Sequence, residues 1–163
     1  MTKLIVGLGA LLASLVLATA LPNGSPVCTI TNGGQEIARG MRAAIQSSSA
    51  FSLAIAAGPE AGRLSVTVEG PANSIFNGIL LYAVSSAQTE IGTWGPFDNR
   101  FHTVPGCPSS LTHSSPQFKQ PPITFGWTAP AGYHGSVTFE WALVMDNTTG
   151  IFLEVPSETV VSL

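Results

Sequence analysis

The sequence predicts an all-β domain, an antiparallel sandwich or barrel, and three observations carry that expectation. From residue 51 onward apolar residues recur with a period of two. Gly-Pro, Pro-Gly and Pro-Pro turn signals fall between the periodic runs. No sustained helical period interrupts the pattern.

The strands follow in order. Phe51-Ser52-Leu53-Ala54-Ile55 is the first candidate. Leu64, Val66 and Val68 alternate with Ser65, Thr67 and Glu69, as expected of a strand with one wet face. Phe76 to Val84 is apolar on both faces, the pattern of a central strand covered on either side. Ile123, Phe125 and Trp127 alternate with Thr124, Gly126 and Thr128. Val137, Phe139, Trp141, Leu143 and Met145 alternate in the same way, and Ile151, Leu153 and Val155 make a shorter final strand. Gly58-Pro59, Gly70-Pro71, Gly95-Pro96, Pro105-Gly106, Pro121-Pro122 and the stretch 130–132 mark turns. Asp146 to Gly150 reads as a hairpin tip, and the tail after Pro156 as a fraying end. Residues 29–50 are the least legible. Ile37 to Ile45 fits a short helix, yet Gly33-Gly34 and Gly40 argue equally for irregular loop.

The chain opens with Met1-Thr2-Lys3, an apolar run from Leu4 to Ala18 and the small residues Ala18-Thr19-Ala20. These are the three parts of a secretory signal peptide, with cleavage expected after Ala20. The alternative, a membrane anchor, needs a longer span and a basic flank on its far side. Residues 21–163 then form one domain with five basic residues (Arg39, Arg42, Arg63, Arg100 and Lys119) against nine acidic ones. That balance argues against nucleic acid or anionic lipid as partners, since both require clustered Lys and Arg. No other run is long and apolar enough for a transmembrane segment.

Cys28 and Cys107 are the two cysteines. An even count in an exported chain is expected to form one disulfide. Free thiols or a redox pair fit less well, because the spacing is far from Cys-x-x-Cys and export favours oxidation.

Several segments stand in the order and spacing of the reeler (reelin N-terminal) domain family. Leu21-Pro22-Asn23-Gly24-Ser25-Pro26, followed by Cys28, resembles the family's mature N-terminus. Ser74-Ile75-Phe76-Asn77-Gly78-Ile79-Leu80-Leu81-Tyr82-Ala83 is similar to its Phe-Lys-Gly-Phe-Leu-Leu-Gln-Ala-Arg strand. Ile91-Gly92-Thr93-Trp94 resembles its Gly-x-Phe/Trp step, and Leu111-Thr112-His113-Ser114-Ser115, with Lys119 following, its Thr-His-Ser/Gly segment. Phe125-Gly126-Trp127-Thr128-Ala129-Pro130 and Gly135-Ser136-Val137-Thr138-Phe139 are similar to its Trp-x-Ala-Pro and Gly-x-Val-x-Phe. The resemblance implies an immunoglobulin-like antiparallel β-sandwich in which Cys28 and Cys107 form the family's first disulfide. Three features depart from it. Thr29 to Gly40 lacks the Met-x-Pro-x-His-Gly-like segment, no cysteines remain for a second disulfide, and the last strand lacks a terminal Phe-Trp.

Chemistry-bearing residues are sparse. His102, His113 and His134 have no short metal-ligand spacing, so no metal is expected. Asp98 and His102 share a segment, for which a surface pair is the commoner reality. Thr112-His113-Ser114-Ser115 sets an imidazole beside hydroxyls, but neighbours on a strand are expected on opposite faces. No Gly-x-Ser-x-Gly elbow occurs, and Asp98 and Asp146 are the only aspartates available to a triad. Gly33-Gly34 has no partnering lysine, so no nucleotide or other cofactor is expected. The chain therefore reads as a non-enzyme.

Trp94, Phe97 and Phe101 share the segment 92–106 with Asp98, Asn99 and Arg100. Loop aromatics among polar residues suit a surface for sugars or proteins, which makes Trp94, Phe97 and Arg100 the candidate binding loop. The blander alternative, which we favour, is that they close one end of the sandwich. Asn147-Thr148-Thr149 is an N-glycosylation acceptor at the expected hairpin tip; Asn23-Gly24-Ser25 is a poorer one, with Pro26 following. Two functions are compatible with all this. One is a secreted extracellular module that binds a cell-surface or matrix protein or glycan. The other is a free-standing innate-immune protein that recognises microbial surfaces, for which the sequence lacks a strongly basic face.

Overall fold

The structure, a computed structural model, describes residues 23–30, 35, 44–47, 50–146 and 151–160. The expected signal segment 1–20, the acceptor Asn147 and most of the ambiguous stretch 29–50 lie outside the described residues.

Among the described residues ten strands run in the order β1 Ala44–Ser47, β2 Ser52–Ala57, β3 Arg63–Glu69, β4 Gly78–Ser85, β5 Thr93–Trp94, β6 Phe101–Val104, β7 Cys107–His113, β8 Ile123–Thr128, β9 Val137–Asp146 and β10 Ile151–Val160. They form a six-stranded sheet, β1-β10-β9-β4-β7-β6, and a four-stranded sheet, β2-β3-β8-β5. Two stacked sheets make this a sandwich, one of the two architectures that the period of two allows, in which strands with alternating residues bury one face and wet the other. β3 does so along its length, with Leu64, Val66 and Val68 buried and the residues between them at least partly exposed.

The inner faces meet in an aromatic core. Trp127, Phe139 and Trp141 are at most 1% exposed, and Phe125 lies beside them. The rings contact edge to face, Phe101 on Phe125 at 4.8 Å between centroids and Trp127 on Phe139 at 5.5 Å. This arrangement sets the positive edge of one ring against the negative face of the next. Gly92 makes the packing possible. Its φ is +75°, and a Cβ there would stand 2.3 Å from Trp127 Cε2. Gly92→Ala is therefore expected to cost about 2–3 kcal/mol through combined backbone strain and overpacking, measurable as a lowered denaturant midpoint.

β4 is buried on both faces, as its unbroken apolar run anticipates. Ile79, Leu81 and Ala83 face the main core. Leu80, Tyr82 and Val84 face the other way, into a second cluster with Val104, Cys107 and Val144, against which Val27, Cys28 and Ile30 pack. The segment 23–30 thus covers the outer face of β4 and its neighbours in the large sheet. Cys28 is disulfide-bonded to Cys107, Ile30 N donates to the Tyr82 hydroxyl, and Ser25 N donates to Thr112 Oγ1. The Tyr82 hydroxyl donates in turn to Glu140. Burial, followed by that carboxylate, pushes the phenol pKa well above its ordinary value.

Two expectations need correction. Ile45 lies in strand β1 rather than in a short helix or irregular loop. The sheets are antiparallel as expected, except that β1 pairs parallel with β10. Parallel pairing is available because most of the domain separates the two strands in sequence, leaving ample chain for the crossover. The final strand does not end near Val155. β10 continues to Val160 with a register shift between Val155 and Glu158. The shift leaves Pro156, which has no N–H, out of the ladder, so the proline interrupts the pairing without ending the strand.

Candidate functional site

At one end of β8 the β5–β6 and β7–β8 connections lie together. β5 is two residues long and pairs with the far end of β8, Trp94 opposite Trp127. The chain then runs back along β8. Gly95 N donates to Gly126 O at 3.0 Å, and a Cβ on Gly126 would lie 2.8 Å from Gly95 O, so glycine is needed there for the close approach. Cis bonds at Gly95–Pro96 and Pro121–Pro122 shape the two connections. Between them opens a groove of about 210 Å³ lined by Phe97, Asp98, Arg100, Phe101, Gln120 and Pro122 among others.

The structure divides the three predicted loop residues. Trp94 turns inward: it is 7% exposed, packs edge-on against Phe125 and Phe139, and donates from Nε1 to Ser109 O. Phe97 is half-buried, packed against the core while lining the groove. Arg100 is exposed and paired with Asp98: Nε lies 3.1 Å from both carboxylate oxygens and Nη2 lies 2.6 Å from Oδ2. Arg100 N also donates to Asp98 Oδ1, so the ion pair caps its own turn. These bonds hold the Asp98 carboxyl below its ordinary pKa and raise that of Arg100. Arg100 also stands over Phe101, 5.4 Å from the ring centroid. The result is a fixed fork of charge beside a half-buried ring. Asp98 does not pair with His102, whose ring nitrogens instead meet Thr103 O and Asn23 O.

Two features of this end are not apparent from residue patterns. The first is Lys119, 1% exposed, whose ammonium donates to the carbonyls of Asn77, Ser115 and Gln117 at 2.7–2.8 Å. Asn77 Nδ2 donates to Pro116 O, and Phe76 and Lys119 exchange backbone hydrogen bonds. Together they bolt the 115–119 segment onto the start of β4. Burial and the nearby Arg100 charge pull the Lys119 pKa from 10.5 down to about 8. The second is Phe118, 69% exposed on that anchored segment, two residues before Gln120 of the groove. The sequence signals for Lys119 are its place after Leu111-Thr112-His113-Ser114-Ser115 in the family resemblance and the lack of any other lysine beyond residue 3; neither announces its burial.

Thr112 and His113 are both buried, Thr112 opposite Leu80 and His113 opposite Phe101, and Thr112 Oγ1 lies 3.3 Å from His113 Nδ1. The hydroxyl donates to Ile79 O, and Ile79 N donates to Nδ1. The pair ties β7 to β4 in the interior, where a substrate has no access. Gly78 makes room for the ring, since a Cβ there would lie 2.7 Å from His113 Cε1. Among the described residues no group of three or more His, Cys, Asp or Glu is placed to hold a metal. Nor does any helix among them have the length and apolarity to cross a membrane.

The sequence profile of the Reeler domain matches residues 39–162, about three quarters of the chain. The chain belongs to the reeler domain family. Two crystal structures of the human F-spondin reeler domain share this reeler fold at 22% identity, with TM-scores of 0.59 and 0.58. The first covers 74% of this chain and 94% of its own, the second 77% and 96%. A structure of the Reelin-N domain of F-spondin aligns with a TM-score of 0.60 at 22% identity, over 76% of this chain and 96% of its own. A search of curated proteins finds no relative. The reeler domain is an extracellular-type module, and the Cys28–Cys107 disulfide of this one accords with that setting.

Proposed function

We propose that this reeler protein is a secreted, non-catalytic module that binds an extracellular protein or glycan through the groove between the β5–β6 and β7–β8 connections. The observation that carries the proposal is the exposed Arg100–Asp98 fork, held in one geometry beside Phe97 and over an open groove. An aromatic face beside bidentate donors and acceptors suits the apolar and hydroxyl faces of a sugar, or the side chains of a protein partner. Phe118, exposed on its anchored segment, extends the same end with apolar surface. Secretion would follow cleavage after Ala20, with an N-glycan on Asn147; the intact mass of protein recovered from the medium of eukaryotic cells reads both.

The test is a binding screen against glycan arrays, extracellular proteins and intact bacterial and fungal cells. Wild type is compared with Phe97→Ala, Arg100→Ala and Phe118→Ala, and with Arg63→Ala as a control on a different turn. The Arg100–Asp98 pair is a surface ion pair worth about 0–1 kcal/mol, so Arg100→Ala is expected to remain folded. Loss of affinity by roughly tenfold or more in the Phe97 and Arg100 variants is the expected result. Binding that survives both substitutions places the site elsewhere. Selective binding to microbial cells would move the function to the innate-immune reading.

A further inference from the structure

The four-stranded sheet ends on β2, and its register reveals which backbone groups face outward. Gly58 N donates to Arg63 O, so the hydrogen-bonded pairs of β2 with β3 are those of Ser52, Ala54 and Ala56. The N–H and C=O groups of Leu53, Ile55 and Ala57 therefore point away from β3. Among the described residues none of these groups finds a hydrogen-bond partner. The side chains leave the edge open: Ser52, Ala54, Ala56 and Ala57 are small and exposed, with no charge, proline or bulge along the strand.

Other edges carry the devices that block pairing. β5 is two residues long and runs into Pro96. β6 has a register shift between Thr103 and Val104, and the Asn23 carbonyl lies against its His102 ring. β2 has none of these.

We infer that the β2 edge pairs antiparallel with β2 of a second copy of this chain, about a twofold axis at Ile55. The register closes on itself. With Ile55 opposite Ile55, Leu53 stands opposite Ala57, and every facing pair of that set is a hydrogen-bonded one. Six backbone hydrogen bonds form, joining two four-stranded sheets into one of eight. A second copy fits because the edge carries no charge to repel itself, and because Ala54 and Ala56 alternate as neighbours without steric conflict. One strand pair buries little area compared with a permanent dimer, so association is weak and reversible. Each dimer would carry two copies of the proposed groove.

Sedimentation equilibrium of the full secreted chain, across a series reaching high micromolar, tests this. The average mass is expected to rise from one chain toward two. Ile55→Pro removes the central outward N–H without touching the β3 ladder, and Ala56→Lys places a charge on the symmetric edge. Each is expected to weaken association by roughly tenfold or more. In wild type, the amides of Leu53, Ile55 and Ala57 should gain exchange protection with concentration, while those of Ala54 and Ala56 are protected throughout. If Ile55→Pro fails to fold, Ala56→Lys and the amide pattern decide. A monomer at every concentration, a dimer unchanged by either substitution, or concentration-dependent protection that omits these three amides overturns the inference. So does protection that appears only when a different protein is added.

Discussion

Replacing Lys119 by Met is expected to lower the stability of the domain by about 3 kcal/mol while leaving the apolar stem of the side chain in place. The ammonium supplies all three of its donors to backbone carbonyls, one from the start of β4 and two from its own connection. Methionine fills the volume but leaves the buried Asn77 carbonyl without that donor, and the 115–119 segment loses its bolt. Urea unfolding measures the loss. A variant within about 0.5 kcal/mol of wild type would show that water or a shifted loop replaces the ammonium without cost. Because Phe118 rides on the same segment, the variant is also expected to weaken any binding that depends on Phe118.

The same residue imposes a pH dependence. Lys119 titrates at about 8 in the folded chain and near 10.5 when unfolded. Between those values the unfolded state holds more protons, so this residue makes stability rise with pH from about 8 toward 10.5; below 8 its contribution is constant. The comparison that isolates it is wild type minus Lys119→Met at each pH. The difference is expected to grow across the window. Tyr82 acts oppositely at the alkaline end, where its raised phenol pKa makes stability fall as pH climbs past the ordinary tyrosine value; it cancels in that difference.

The second large effect belongs to the Cys28–Cys107 disulfide. The bond closes a separation of 79 residues, for which the loop-entropy account predicts about 4–5 kcal/mol of stabilisation. A Cys28→Ser, Cys107→Ser double variant is expected to lose that amount in urea unfolding. The loss has a local consequence as well. Cys28 holds the segment 23–30 over Leu80, Tyr82 and Val84, so its release uncovers the outer face of β4. Increased binding of a hydrophobic dye is expected, together with a fall of the Tyr82 pKa toward its ordinary value as burial is relieved. If stability drops without either sign, the segment stays docked by its apolar contacts and by the Ile30 and Ser25 hydrogen bonds alone.

Much of the fold was legible because strand alternation is a local property. Leu64, Val66 and Val68 declare their face two residues at a time, and so do Phe125 and Trp127 or Phe139 and Trp141. The disulfide was legible because two cysteines allow one pairing. The binding end was legible only in part. Segment 92–106 was identifiable by its aromatics and turn residues, but not which of its side chains would remain at the surface. The register of β5 on β8 decides that, and it sends Trp94 into the core while leaving Arg100 outside.

By itself, then, the sequence determined an all-β sandwich or barrel with one disulfide and an aromatic interior, since burial pattern, turn chemistry and cysteine count act along the chain. The tertiary structure decided the rest. It set β1 parallel to β10, carried β10 past Pro156, laid residues 23–30 over β4 and buried Lys119 among carbonyls. Every residue carries a carbonyl, so no residue pattern announces three of them converging on one ammonium. Only the folded backbone brings Asn77, Ser115 and Gln117 to the same point.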